Sequence, residues 1–159
     1  MVDEHLSYKH YFENDKFFEL FKDTNYVWEA VKRINDFIKT NASLNDTIIG
    51  KNTIIEEGAI IKPPAIIGNN CVIRPGAYLR GNVVIGDNCV IRTEIKNSVI
   101  MDYTKIAHPG YIGDSIIGDH CNFGVNVALT NLKVCKGNVK VKVNGNVYDT
   151  GLRKFGAIV

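Results

Sequence analysis

From residue 49 the chain places a large aliphatic residue at every sixth position: Ile49, Ile55, Ile61, Ile67, Ile73, Leu79, Ile85 and Ile91. Four residues after each comes a second apolar or small position: Thr53, Ala59, Ala65, Cys71, Ala77, Val83, Cys89 and Ile95. Polar or turn-forming pairs separate them, among them Lys51-Asn52, Glu57-Gly58, Pro63-Pro64, Asn69-Asn70, Pro75-Gly76, Gly81-Asn82 and Asp87-Asn88. The phase resumes after a nine-residue step at Ile100, Ile106 and Ile112, and after a five-residue step at Ile117, Phe123 and Leu129. A period of six with two inward positions predicts a short strand followed by a corner. Three such units close one triangular coil, and coils stack about 4.8 Å apart as parallel ladders. Two prolines in a row disfavour a central strand, so Pro63-Pro64 is expected at a corner.

Residues 1–42 follow another pattern. Val27, Val31, Ile34 and Ile38 make one helical stripe, with Asp23 and Thr24 placed to cap it, and Phe17, Phe18 and Phe21 predict an earlier helical turn. The expected role of this segment is a lid over the open apolar end of the coil, since solenoids need caps. Past residue 132, Val139, Val141 and Val143 alternate with Lys140 and Lys142 before Asn144-Gly145, the signature of a tight hairpin. It is expected at about 133–150, jutting from one corner. Together these elements predict an all-β chain with a helical cap over 1–42, a parallel β-helix over 43–159, and an inserted β-hairpin.

Composition agrees. Ile and Val number 36 against 7 Leu, which favours strands; 17 Asn and 14 Gly supply turns. Nine of the 15 aromatic residues fall within residues 1–40. A net charge of +2 gives no polyelectrolyte signature, so no nucleic-acid partner is expected. No membrane span or signal peptide is evident, and a cytoplasmic location is expected. Cys71, Cys89, Cys121 and Cys135 form no C-x-x-C pair, so free thiols are expected, and Cys71 and Cys89 should stack in adjacent coils. Lys133, Lys136, Lys140, Lys142, Arg153 and Lys154 make the hairpin region basic: a solvated face, or a site for ligand phosphates.

A filled coil leaves chemistry to corners, loops and subunit boundaries. His108, followed by Pro109-Gly110, is a candidate general base on a corner. Phase counting places Arg74, the Lys96 loop and Asn131 in one corner column and His108 in another.

The repeats resemble the left-handed parallel β-helix of the hexapeptide-repeat transferases; the left hand is what the resemblance implies. The run Lys105-Ile106-Ala107-His108-Pro109-Gly110-Tyr111-Ile112-Gly113-Asp114-Ser115, with Gly118-Asp119 and Asn122-Phe123-Gly124, is similar to one family within it. That family is the C-terminal acetyltransferase domain of the bifunctional N-acetylglucosamine-1-phosphate uridyltransferase/glucosamine-1-phosphate acetyltransferases. The Lys-rich hairpin and Asp149-Thr150-Gly151-Leu152-Arg153-Lys154 resemble the archaeal type of sugar-1-phosphate nucleotidyltransferase.

The resemblance implies an acetyl-CoA-dependent N-acetyltransferase, or its remnant, acting on an amino-sugar 1-phosphate. It places the catalytic base on His108 and sugar-phosphate contacts on Arg74, Lys96 and Tyr111. Its two site asparagines fall on Asn122 and Asn131, of which Asn131 is expected to take part in catalysis, and Glu94 is expected to orient its neighbours. It further implies a homotrimer, with sites within one chain or between subunits. Where the family has a Gly-Ala-Gly-Thr turn, this chain has Gly124-Val125-Asn126-Val127, which adds bulk where the acyl donor would pass. No nucleotidyltransferase domain is expected before residue 20, and further coils that build the coenzyme A site are expected to be missing after Val159. Two alternatives follow: a non-catalytic module that trimerises or binds sugar phosphates, and a zinc protein like the carbonic anhydrases of this fold. The second would need three converging histidines, whereas His108 and His120 count to different corners. No metal site is expected.

Overall fold

The computed structural model describes residues 4–13 and 15–159. Its centre is a three-sided parallel β-solenoid. Side one stacks β1 (Thr47–Ile49), β4 (Ala65–Ile67), β7 (Val83–Ile85), β10 (Ser98–Ile100) and β13 (Ile116–Ile117). Side two stacks β2 (Ile54–Ile55), β5 (Val72–Ile73), β8 (Val90–Ile91) and β11 (Lys105–Ile106). Side three stacks β3 (Ile60–Ile61), β6 (Tyr78–Leu79), β9 (Glu94–Lys96), β12 (Tyr111–Gly113) and β14 (Ala128–Leu129). Every pairing within these three sides is parallel, and Ile49↔Ile67↔Ile85↔Ile100 runs in register up side one.

The period-six residues fill the interior. Ile73, Leu79, Ile91 and Ile112 are fully buried, with Cys71 and Cys89 in the small positions between them. The two cysteines are free thiols stacked one above the other, the Cys89 amide donating to the Cys71 sulfur at 3.4 Å. The neighbouring Cys71 sulfur and burial together push the Cys89 thiol up.

The nine-residue step resolves differently from the sequence expectation. Ile95 is not a secondary corner residue: it is the inward centre of β9, paired with Leu79 and Ile112. The step is two shortened units, Ile91 to Ile95 and Ile95 to Ile100, in which the corners lose residues and the strands keep their stacking.

The turns explain the asparagine content. At the edge between sides one and two, Asn52, Asn70, Asn88, Tyr103 and His120 hold φ between 55° and 60°, the left-handed region that asparagine tolerates best among non-glycine residues. Beside them runs a ladder of side-chain acceptors. Asn69 Oδ1 takes the Lys51 amide, Asp87 that of Asn69, Asp102 that of Asp87, and Asp119 that of Asp102, at 2.6–2.9 Å. Each acceptor ties its own rung to the preceding one.

The N-terminal segment does not cover the end of the solenoid. It comprises α1 (Tyr8–Tyr11), α2 (Phe18–Phe21) and α3 (Ile34–Asn41), with 3-10 turns at Glu4–Leu6, Asp15–Phe17 and Val27–Arg33. Val27, Val31, Ile34 and Ile38 are buried as their stripe predicts, but against the outer face of side one, in a core with Val84, Val99 and Ile116. The reason lies in the strands. Side one is apolar on both faces (Ile66-Ile67, Val84-Ile85, Val99-Ile100, Ile116-Ile117), so its outer face requires cover. The first rung stays open: Ile49 is 46% and Ile55 36% exposed. The 3-10 turn at Val27–Arg33 starts with the Glu29 carboxylate accepting the Asn25 and Tyr26 amides; Asp23 and Thr24 do not cap it, and Thr24 donates instead to the Phe21 carbonyl.

The hairpin forms as predicted, β15 (Lys140–Val143) against β16 (Asn146–Asp149), turning at Asn144 (φ 49°) and Gly145 (φ 83°). It does not jut out. Val139, Val141, Val143 and Tyr148 lie on the N-terminal layer, where Tyr148 meets Tyr26 and Trp28 at ring distances of 6.0 and 6.1 Å. After the hairpin the chain returns to side one, with Ile158 bridged to Ile116. No helix among the described residues is long and apolar enough to cross a membrane.

Candidate functional site

With side one covered, side three is a flat face that sets charged and phenolic residues in columns. In a strand whose middle residue points inward, the residues before and after it face out. The first outward column is therefore Ile60, Tyr78, Glu94, Tyr111 and Ala128, in register from rung to rung. The second holds Lys62, Arg80, Lys96 and Gly113; Lys96 pairs directly with Gly113, and the Arg80 amide donates to the Ile95 carbonyl. One flat face thus presents three cations in succession beside two phenols and a carboxylate.

Arg80 pairs with Glu94 at 2.7 Å and lies over the Tyr78 ring, and Lys62 approaches the same ring. The hydrogen bond to Glu94 pushes the Arg80 guanidinium further up. Glu94 is thereby occupied, and Lys96 has no ion-pair partner among the described residues.

At the upper end, Tyr111 and Asn131 close over Gly113. A Cβ there would stand 2.5 Å from the Tyr111 hydroxyl and 2.7 Å from the Asn131 amide nitrogen, so this approach requires glycine. Burial pushes the Tyr111 phenol up, with the nearby Asp114 carboxylate adding to it, so Tyr111 remains a hydrogen-bond donor at neutral pH. Asp114 is buried with φ 48° and takes amide donors from Asn97 at 2.7 Å and from Asn131. The chain returning from the hairpin pins both neighbours, Phe155 donating to the Asn131 carbonyl and Gly156 to that of Asp114.

The predicted residues distribute as follows. Glu94, Lys96, Tyr111 and Asn131 gather on side three and the edge where it turns to side one. Arg74 and His108 lie on the opposite edge, between sides two and three. The phase count that set Arg74 in the Lys96 column is thus corrected: Arg74 follows β5 and His108 follows β11, both on side two. The shortened units at Ile91–Ile100 threw the count off. His108 is exposed. Asn122 is exposed on side two, bridged to Lys105, and a single chain does not bring it to the others. His120 is on the third edge, stacked on Tyr103 at 4.8 Å. No group of three or more His, Cys, Asp or Glu residues placed to hold a metal occurs among the described residues. At the corner expected to meet an acyl donor, Gly124 has open space around it, while Val125 stands 63% exposed.

Sequence reasoning missed Arg80, Gly113 and Asp114. Arg80 was legible, since it follows the inward Leu79 by one residue and must face out beside Lys96.

A parallel β-solenoid with such a face belongs to the class of hexapeptide-repeat proteins, whose members include sugar-phosphate transferases. The family model of the GMPPB C-terminal domain matches residues 61–150, and the chain belongs to that family. It is 44% identical over 151 residues to a bifunctional protein GlmU of Methanococcus maripaludis, covering 86% of this chain and 36% of that protein. A second GlmU, from strain C7 of the same species, is 48% identical over the same shares. The bifunctional sugar-1-phosphate nucleotidylyltransferase/acetyltransferase of Sulfurisphaera tokodaii is 44% identical over 66 residues, 42% of this chain and 16% of that one. The chain spans about a third of the length of the first two relatives.

Proposed function

We propose that this chain carries the acetyl-transfer part of such bifunctional enzymes and acts on an amino-sugar 1-phosphate, with acetyl-CoA as the acyl donor. The observation that carries the reading is the gathering of Glu94, Lys96, Tyr111 and Asn131 on one face, with Arg74 and His108 along its edge. Lys96 and Arg74 supply charge for a phosphate monoester, for which charge-assisted hydrogen bonds are the strong ones. Tyr111 donates from a phenol that stays protonated at neutral pH. The acyl donor supplies an activated thioester carbonyl. His108, on an exposed corner, takes the proton released when the sugar nitrogen bonds to that carbonyl carbon; the C–S bond then breaks and coenzyme A leaves as the thiol, carrying a proton in place of the one taken from the amine. A positioned base contributes about 10²–10⁴-fold.

His108 and Asn131 stand at opposite edges of side three, and Asn122 faces another side altogether. A homotrimer would resolve this. A neighbouring copy laying its side two against side three would bring its Asn122 and its His108 edge to the face that holds Tyr111 and Asn131.

Purified protein is expected to transfer acetyl groups from acetyl-CoA to glucosamine 1-phosphate, with His108→Ala lowering kcat at least a hundredfold. No turnover by the wild type, or full turnover by His108→Ala, would overturn the reading. One observation favours a non-catalytic sugar-phosphate-binding module instead: Val125 projects an exposed side chain at the corner where the resemblance has a small Gly-Ala-Gly-Thr turn. Calorimetry separates the two, since the module binds glucosamine 1-phosphate but not coenzyme A.

A further inference from the structure

Asn131 has a fixed polarity. Its amide nitrogen donates to the Asp114 carboxylate and closes with the Tyr111 hydroxyl over Gly113. An ionised carboxylate can only accept, so the two ends of this amide are not interchangeable, as they would be beside a hydroxyl. The Asn131 nitrogen must face Asp114. The nitrogen is thereby committed, and the carbonyl oxygen is the group left over. That oxygen accepts no hydrogen bond from any described residue, and it is not among the sealed polar atoms, the Thr93 hydroxyl being the one buried side-chain atom without a partner there.

Asp114 is itself held on every polar group. Its carboxylate takes Asn97 and Asn131, its amide donates to the Lys96 carbonyl, and its own carbonyl takes the Gly156 amide. It forms no ion pair among the described residues. A buried carboxylate held by two amides and no cation is costly to keep, and the side-chain hydrogen bond that links it to the ligand face is the one from Asn131.

We propose that Asp114 is a positioning residue that locks Asn131 with its carbonyl outward, so that the site selects a ligand group presenting an N–H donor at that point. The inference rests on the acetyl-transfer reading for its chemistry. A sugar amine attacking a thioester must keep its lone pair free, so its N–H bonds have to be taken up elsewhere. An acceptor at Asn131 takes one of them. A donor there would occupy the lone pair and suppress attack. The same polarity rules Asn131 out as the group that stabilises the developing oxyanion, because that task needs donors.

The test combines kinetics with the side-chain amide signals of the ¹⁵N-labelled chain. In the wild type, one Asn131 Nδ2 proton is expected well downfield and protected from exchange. Asp114→Asn, which removes the demand for a donor and leaves the volume unchanged, is expected to collapse that signal. It should lower kcat for glucosamine 1-phosphate about 10–100-fold, with KM within about twofold, because the phosphate contacts remain. In an Asn131→Ala background the same change should alter kcat by less than about twofold. Equal losses in both backgrounds would overturn the proposal, as would a wild-type Asn131 amide without a shifted, protected proton. If the wild type transfers no acetyl group, the acetyl-transfer reading falls by itself, and the amide signals alone decide whether Asp114 holds Asn131. They decide it in the wild type even if Asp114→Asn fails to fold.

Discussion

Thr93 occupies an inward corner position on the shortened rung, next to Gly110, and its hydroxyl is buried without a hydrogen-bond partner. Leaving such a group unpaired costs about 1–3 kcal/mol. Thr93→Val keeps the shape and removes the group, so the urea midpoint is expected to rise by about 1 kcal/mol equivalent with an unchanged slope. Gly113→Ala works the other way. Its methyl group would displace the Tyr111 hydroxyl and the Asn131 amide while leaving the buried coil residues alone. Ligand binding measured by calorimetry should therefore weaken at least tenfold while stability falls by about 1 kcal/mol or less. At this scale the sequence is uneven. Tyr111 and Asn131 could be singled out by resemblance, and Arg80 by its offset from Leu79. The bond from Asp114 to Asn131 joins residues 17 apart whose rungs are adjacent only after the corners have lost residues, so no fixed period points to it.

Among the elements, an exposed cation of the N-terminal layer adds a charged tie to the solenoid. Lys16 reaches Asp87 and Asp102, each at 2.8 Å, on the ladder edge. Burial works against the charge on Lys16, but its two carboxylate partners outweigh it and hold the ammonium above its ordinary range. Burial likewise opposes the charge on Asp87, but Lys16 and the Asn69 amide hold its carboxyl below the usual carboxylate range. The signs fix the pH window. The Asp87 contribution is present above the ordinary carboxylate value of about 4 and is lost as pH falls through its lowered value; the Lys16 contribution is present below about 10.4 and is lost as pH rises through its raised value. Lys16 is 39% exposed, so solvent screening leaves the latch about 1 kcal/mol or less. Lys16→Met should therefore lower the urea midpoint slightly at pH 7 and flatten both limbs of its pH profile; identical profiles for the two proteins would exclude the latch.

The helical stripe from Val27 to Ile38 was legible in the sequence, but its docking partner was misread. Attention to the inward residues alone hid the apolar outer positions of side one, Ile66, Val84, Val99 and Ile116, which decide where the layer lies. The hairpin was legible from Asn144-Gly145. Its return onto Tyr26 and Trp28 was not, because a turn type sets strand register and not the surface on which the strands come to rest.

For the molecule as a whole, the sixfold rhythm sets the solenoid and the shortened units set which edges its polar groups reach. Thiol accessibility reports on that core. Cys135 is exposed and should label rapidly in the native protein; Cys121 is half-buried, with its thiol pushed up by burial, and should label slowly. Cys71 and Cys89 should label only as fast as the coil opens, so rapid native labelling of either would contradict the stacked interior. The central claim is that side three is the ligand face. Its most direct test is a titration of ¹⁵N-labelled protein with glucosamine 1-phosphate, followed residue by residue. The account predicts shifts at Glu94, Lys96, Tyr111, Gly113 and Asn131 and along the edge carrying Arg74 and His108. Shifts confined to the opposite edge at Tyr103 and His120, or none at millimolar ligand, would contradict it.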